Sequence, residues 1–65
     1  MNIMLTTACE KKVKNGDLSD TIIPAGTAGS VIDIIIENGE VQFLLEFGDL
    51  ETIEWYSVNE VEEKF

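Results

Sequence analysis

Apolar and polar residues alternate through much of this chain, which is the period of β-strands. In EVQFLLEF, residues 40–47, Val41, Phe43, Leu45 and Phe47 fall on one face, and Glu40, Gln42, Leu44 and Glu46 on the other. The ENGE that leads into it holds Asn38-Gly39, the pair suited to a type I′ turn, whose two central residues both need positive φ. Pairing Glu37 with Glu40 then sets Ile36 against Val41, Ile34 against Phe43 and Ile32 against Leu45, a wholly apolar face. The opposite face sets Ile35 against Gln42, Asp33 against Leu44 and Val31 against Glu46. In the next connection, FGDL, a three-residue loop from Gly48 to Leu50 pairs Leu45 with Ile53 and Phe43 with Trp55. That loop, or an equivalent bulge, keeps one core face, whereas a two-residue loop mixes the faces. The outer face then gathers Leu44, Glu46, Thr52, Glu54 and Tyr56.

The ends of the chain are read from turn and cap chemistry. Ser57 and Glu60 have capping-box spacing. They predict one short helical turn followed by a brief last strand, which together bury Val58 and Val61; a C-terminal helix through Glu63 is the competing local reading. At the front, Ile3 to Val13 predicts a first strand with Leu5 and Val13 inward. KNGDLSDTIIPAG is loop-like, and Pro24 bars central-strand pairing. The pattern predicts one all-β domain over residues 1–65. Its five short strands form a small, partly open barrel, with one helical turn before the last strand.

These readings are carried by PAGTAGSVIDI, the Asn-Gly hairpin, EVQFLLEF and WYSVNEVEEKF, and with them the chain resembles the SH3-like small barrels from about Leu5 to Phe65. It looks most like small bacterial domains of uncharacterised function with a glycine corner after a long first loop; KOW domains share a similar corner. The resemblance implies a scaffold used for peptide binding, RNA contact, enzyme subunits and small inhibitors, so the function has to be sought in the site. This chain lacks the basic residues of RNA-contacting KOW domains and the paired aromatics of a proline-peptide groove.

Composition changes the picture mainly through charge. The net charge is −9 with neither Arg nor His. Residues 1–32 balance Glu10, Asp17 and Asp20 against Lys11, Lys12 and Lys14, so the second half carries the entire excess, opposed only by Lys64. Such a field repels phosphate backbones and steers basic partners, and it also keeps a small protein soluble. Cys9 is the sole cysteine, which precludes an intrachain disulfide and fits a reducing, cytoplasmic setting. MNIMLTTAC has no basic region and too short an apolar run for a signal peptide, and no stretch approaches a transmembrane span.

Candidate chemistry is sparse. AGTAGSVI lacks the Lys and the spacing of a phosphate loop. Gly26 and Gly29 are therefore read as serving positive φ or close backbone approach at the entry to a bent strand. Cys9 has no His partner, and solvated carboxylates such as Glu46 and Glu54 lack a pocket to separate their pKa values. Asn15, Asp17 and Asp20 depart from the calcium-loop pattern, and zinc is disfavoured by one Cys and no His. The expectation is a non-enzymatic chain with no cofactor and no metal.

One constellation stands out: Asp33, Ile35, Leu44, Glu46, Glu54 and Tyr56, with Val31, on the outer hairpin face. An apolar centre with an acidic rim is the anatomy of a surface that meets a basic protein. The leading expectation is an acidic protein-binding module, including inhibitors of the phage anti-defence or antitoxin-like kind that occupy a basic surface. The alternatives are an accessory or assembly domain of a larger enzyme complex, and KOW-like nucleic-acid contact, which the charge disfavours. Oligomeric state is left open, since an exposed first or last strand can pair with a copy of itself.

Overall fold

A computed structural model describes residues 3–62. Within them run six strands and two single-turn 3₁₀ helices: β1 (Met4–Thr6), β2 (Lys11–Lys14), β3 (Asp20–Ile23), β4 (Ala28–Glu37), β5 (Glu40–Phe47) and β6 (Thr52–Ser57), with 3₁₀ turns at Gly48–Leu50 and Val58–Glu60. They form two antiparallel sheets, a four-stranded one in the order β1-β4-β5-β6 and a two-stranded one, β2-β3. The all-β expectation holds, but the sheets do not close into a barrel, and six strands stand where five were expected.

The front of the chain differs most. The single first strand is two, broken between Thr7 and Glu10, and the long loop contains a strand of its own. β2 and β3 form a hairpin in which Lys11 pairs with Ile23 and Lys14 with Asp20. Asn15 closes it: its backbone N–H donates to Ser19 C=O at 2.8 Å, and its side-chain amide donates to Thr21 Oγ1 at 2.8 Å. Asp17 accepts from both the Ser19 hydroxyl and the Ser19 backbone N–H, and these bonds hold its carboxyl below the usual aspartate range. Polar turn chemistry thus builds a hairpin where composition read as loop. β3 stops at Ile23, directly before Pro24, as proline demands.

The glycine corner serves the backbone in two ways. Gly26 sits at φ +88°, outside the range L-residues favour. Gly29 has an ordinary φ, but a Cβ there would lie 2.7 Å from Phe47 Cε1 and 3.1 Å from Leu45 Cβ. Thr7, fully buried, fastens the corner to β1. Its hydroxyl donates to Pro24 C=O at 3.0 Å and accepts from Thr27 N–H at 3.1 Å, so the buried polar group is satisfied.

The β4-β5 hairpin follows the expected register over its outer half: Glu37 pairs with Glu40, Ile36 with Val41, Ile35 with Gln42, Ile34 with Phe43 and Asp33 with Leu44. Asn38 (φ 52°) and Gly39 (φ 79°) make the positive-φ turn. A bulge then intervenes between Val31 and Asp33, so Val31, not Ile32, meets Leu45, and Ser30 meets Glu46. The extra residue turns Val31 inward, where it packs on the core, and leaves Ile32 half exposed. Ile34 and Ile36 keep their face but not their burial. At 53% and 76% exposed they lie beyond the core, on an arm that lengthens the molecule to 35 Å against 24 and 23 Å.

The connection to β6 is also longer than the three-residue loop expected. The Gly48–Leu50 turn ends on Glu51 in the left-handed region (φ 51°), and pairing resumes at Phe47 with Thr52. Phe43 therefore meets Tyr56, Leu44 meets Trp55, Leu45 meets Glu54 and Glu46 meets Ile53. This one-residue change turns Tyr56 into the core and Trp55 outward. The core comprises Ile23, Leu45, Phe47, Tyr56 and Val61, flanked by Leu5, Val13, Val31 and Phe43. Tyr56 packs edge-on against Phe47, ring centroids 5.9 Å apart at 70°.

Beyond β6, Glu60 caps the Val58–Glu60 turn by accepting Ser57 N–H at 2.9 Å, the capping box expected there. Val61 is then extended, which excludes a helix continuing through it. It bridges to Thr7, with Ala8 N–H donating to Glu60 C=O and Glu62 N–H to Thr6 C=O, each at 2.8 Å. Val61 is buried and Val58 half-buried. The rest of the expected last strand lies outside the described residues.

Candidate functional site

With that register, the face of the large sheet turned away from β2-β3 carries Asp33, Ile35, Gln42, Leu44, Glu46, Ile53 and Trp55. Leu44 is central, paired with Asp33 on one side and Trp55 on the other. Ile35, Leu44 and Trp55 are half-buried, Ile53 is 49% exposed, and Asp33 and Glu46 are exposed. The turn end of the same face carries exposed Glu37 and Glu40, directly opposite one another. An apolar strip rimmed by carboxylates results.

Of the six residues expected on this surface, the fold brings together Asp33, Ile35, Leu44 and Glu46. Glu54 and Tyr56 lie on the opposite face, opposite Leu45 and Phe43, and Val31 joins them there. Tyr56 is fully buried, so it offers no surface to a partner. Ile53 and Trp55 take the outward places. Sequence reasoning missed them because it assigned both to the core through the shorter loop, and no signal in FGDLETIEWY separates the three-residue loop from the four-residue one that the fold uses.

Lys11 crosses from β2 to β6. Its ammonium donates to Trp55 C=O at 2.8 Å, pairs with Glu60 at 3.1 Å and stands 4.4 Å from the centroid of the Tyr56 ring. It ties the small sheet to the last strand and the turn after it. Burial works to raise the Glu60 carboxyl, but the Ser57 N–H and the Lys11 ammonium outweigh it and hold the carboxyl below its ordinary value. Burial, with lesser contributions from Cys9, Glu54 and Glu60, pushes the Tyr56 phenol up to about 12. The Tyr56 hydroxyl has no hydrogen-bond partner among the described residues. Cys9 is a free, half-buried thiol whose Sγ donates to Glu60 Oε2 at 3.9 Å.

Where the end of β2 approaches the β5-β6 turn, a groove of about 630 Å³ is lined by Val13, Lys14, Phe47 and Ile53, with the carboxylates of Glu46 and Glu51. Among the described residues no group of three or more His, Cys, Asp or Glu side chains could hold a metal ion, and no helix is long and apolar enough to cross a membrane. Compared with known proteins, the chain matches no family model, no curated protein and no solved structure.

Proposed function

We propose that the chain is a non-enzymatic, cytoplasmic protein-binding module of the SH3-like kind, using the outer face of β4-β5-β6 to hold a basic surface of a partner protein. The observation that carries this reading is that face: Ile35, Leu44, Trp55 and Ile53 in a strip, with Asp33 and Glu46 exposed beside it. Apolar area supplies affinity, and the carboxylates supply steering and choice of partner. The SH3-like reading is supported by the Asn-Gly hairpin, the 3₁₀ turn after β6 and the Thr7–Val61 bridge that returns the chain to β1. In its narrower form the module is an inhibitor that covers a nucleic-acid-binding surface of its partner. With a net charge of −9 the chain has no part in holding nucleic acid itself.

The half-buried apolar side chains of Trp55 and Leu44 on this face favour a second reading, docking as an accessory subunit of a larger enzyme complex. Salt separates the two, since an acidic inhibitor loses on-rate steeply as salt rises and an apolar docking domain does not. The test is capture from a lysate of the native host by the wild-type chain, by the double variant Asp33→Lys, Glu46→Lys, and by Glu54→Lys as a control on the other face. The expected result is a partner retained by wild type and Glu54→Lys and lost by the double variant. Equal capture by all three would refute the outer-face assignment.

A further inference from the structure

Among the described residues, β4 is covered along one edge only as far as its bulge. The described β1 ladder ends at Ser30, with one further bond from Val31 N–H to Ile3 C=O at 2.8 Å. In a two-residue hairpin the closing pair, Glu37 and Glu40, exchanges hydrogen bonds, and so does every second pair below it. Ile34 and Ile36 are the intervening residues, so their N–H and C=O groups point away from β5. The one hydrogen bond on that stretch of edge among the described residues agrees: Ile34 N–H donates to Oδ1 of the preceding residue, Asp33, at 2.9 Å. Ile36 has no partner among the described residues on that side.

The opposite edge of the sheet is partly closed by the protein's own side chains. On β6, Trp55 C=O accepts from Lys11, Trp55 N–H donates to Glu54 at 2.9 Å and Ser57 N–H to Glu60 at 2.9 Å. The small sheet's β2 edge carries lysines 11, 12 and 14. On the β4 edge the Ile34 N–H is likewise taken by the preceding carboxylate, but the Ile34 C=O and both backbone groups of Ile36 have no partner among the described residues, and they lie between two different faces. Ile34 and Ile36, 53% and 76% exposed, line one, and Asp33 and Glu37 line the other.

We infer that the outer half of β4, from Asp33 to Glu37, is a strand-addition site. Its occupant is an extended segment of another protein in which apolar and basic residues alternate, added antiparallel like every ladder in this fold. Its apolar side chains cover Ile34 and Ile36, and its basic ones meet Asp33 and Glu37. A second copy of this chain fits worse: antiparallel self-pairing through Ile34 and Ile36 sets Asp33 opposite Glu37 twice, between molecules of charge −9. The inference rests on the proposed function for the basic character of the partner, and adds how that partner is held.

The test uses short synthetic peptides alternating lysine and valine, titrated into the full chain at low salt with amide chemical shifts as readout. In the antiparallel register the valine amides face β4 and the lysine amides face away. N-methylation of the valine amides is expected to weaken binding about tenfold or more, and N-methylation of the lysine amides to leave it unchanged. Ile36→Pro, which removes an outward N–H without touching the β4-β5 ladder, is expected to weaken binding similarly while Trp55 fluorescence reports an intact fold. Binding indifferent to which amides are methylated overturns the edge site; if the lysate partner is still lost by the Asp33→Lys, Glu46→Lys variant, the outer-face reading stands without it. A dimer of the chain alone in sedimentation, abolished by Ile36→Pro, gives the edge to a second copy and also overturns the inference.

Discussion

Replacing Lys11 by Met removes the ammonium and keeps most of the stem, isolating what the charge does between the two sheets. The ammonium makes a charge-assisted bond to Trp55 C=O at 2.8 Å, a bond of a kind that contributes about 1.5–3 kcal/mol. Its place beside the Tyr56 ring adds about 0.5–1 kcal/mol. The ion pair with Glu60 belongs near the low end of its range, because the two side chains are 23% and 34% exposed and solvent screens them. The net loss comes to about 2–3 kcal/mol, or a fall in Tm of about 10–20 °C for a domain this small. The assay is urea unfolding followed by the fluorescence of Trp55, the only tryptophan. Lys12→Met, on an exposed neighbour, is the control and should change stability by less than about 0.5 kcal/mol. The Glu60 carboxyl is depressed in the folded chain, so its contribution is present above its ordinary pKa of 4.5 and is lost as pH falls through the folded value. Lys11→Met should flatten that acid slope. A Lys11→Met protein as stable as Lys12→Met, with the acid slope unchanged, would refute the reasoning.

Gly29→Ala should cost about 1–3 kcal/mol by driving a methyl into Phe47 and Leu45, whereas Gly16→Ala, in open space, should cost little; paired urea midpoints check both. The Tyr56 phenol is raised from 10.0 to about 12, so its contribution is intact below pH 10 and is lost as pH rises through the folded value, about 3 kcal/mol in all. Alkaline titration of tyrosinate absorbance, unambiguous with one tyrosine, should show the folded chain ionising well above the unfolded one. Thr7→Val should cost about 1–3 kcal/mol, because Pro24 C=O and Thr27 N–H lose their shared buried hydroxyl; thermal unfolding measures it.

Local signals with strict geometry were legible in the sequence. Asn38-Gly39 set the hairpin turn and the five pairs nearest it, Ser57 and Glu60 set the 3₁₀ turn, and the two glycines of the corner were rightly read as backbone features. Errors entered wherever a single residue of register was undetermined. The bulge before Asp33 cannot be read from VIDIII, since Ile32 is as apolar as its neighbours. The turn after Phe47 admits loops of different length, and the choice rested on keeping Ile53 and Trp55 inside. The fold puts Tyr56 there, held by Phe47 and by Lys11, a residue distant in sequence. Two members of the expected surface, Glu54 and Tyr56, were lost to that slip, and Ile53 and Trp55 took their place. The β2-β3 hairpin was hidden because its Asn, Asp and Ser residues read as loop while bonding to one another as a turn.

The central claim, that the outer face of β4-β5-β6 is where a basic partner is held, is tested most directly by residue-resolved amide shifts of the full chain titrated with the partner recovered from the host lysate. The account expects the largest changes at Asp33, Ile35, Leu44, Glu46 and the Trp55 indole, falling away as salt rises, with Lys12 and Ile22 on the other sheet undisturbed. Changes centred on the β2-β3 hairpin, with Leu44 and Trp55 silent, would contradict it.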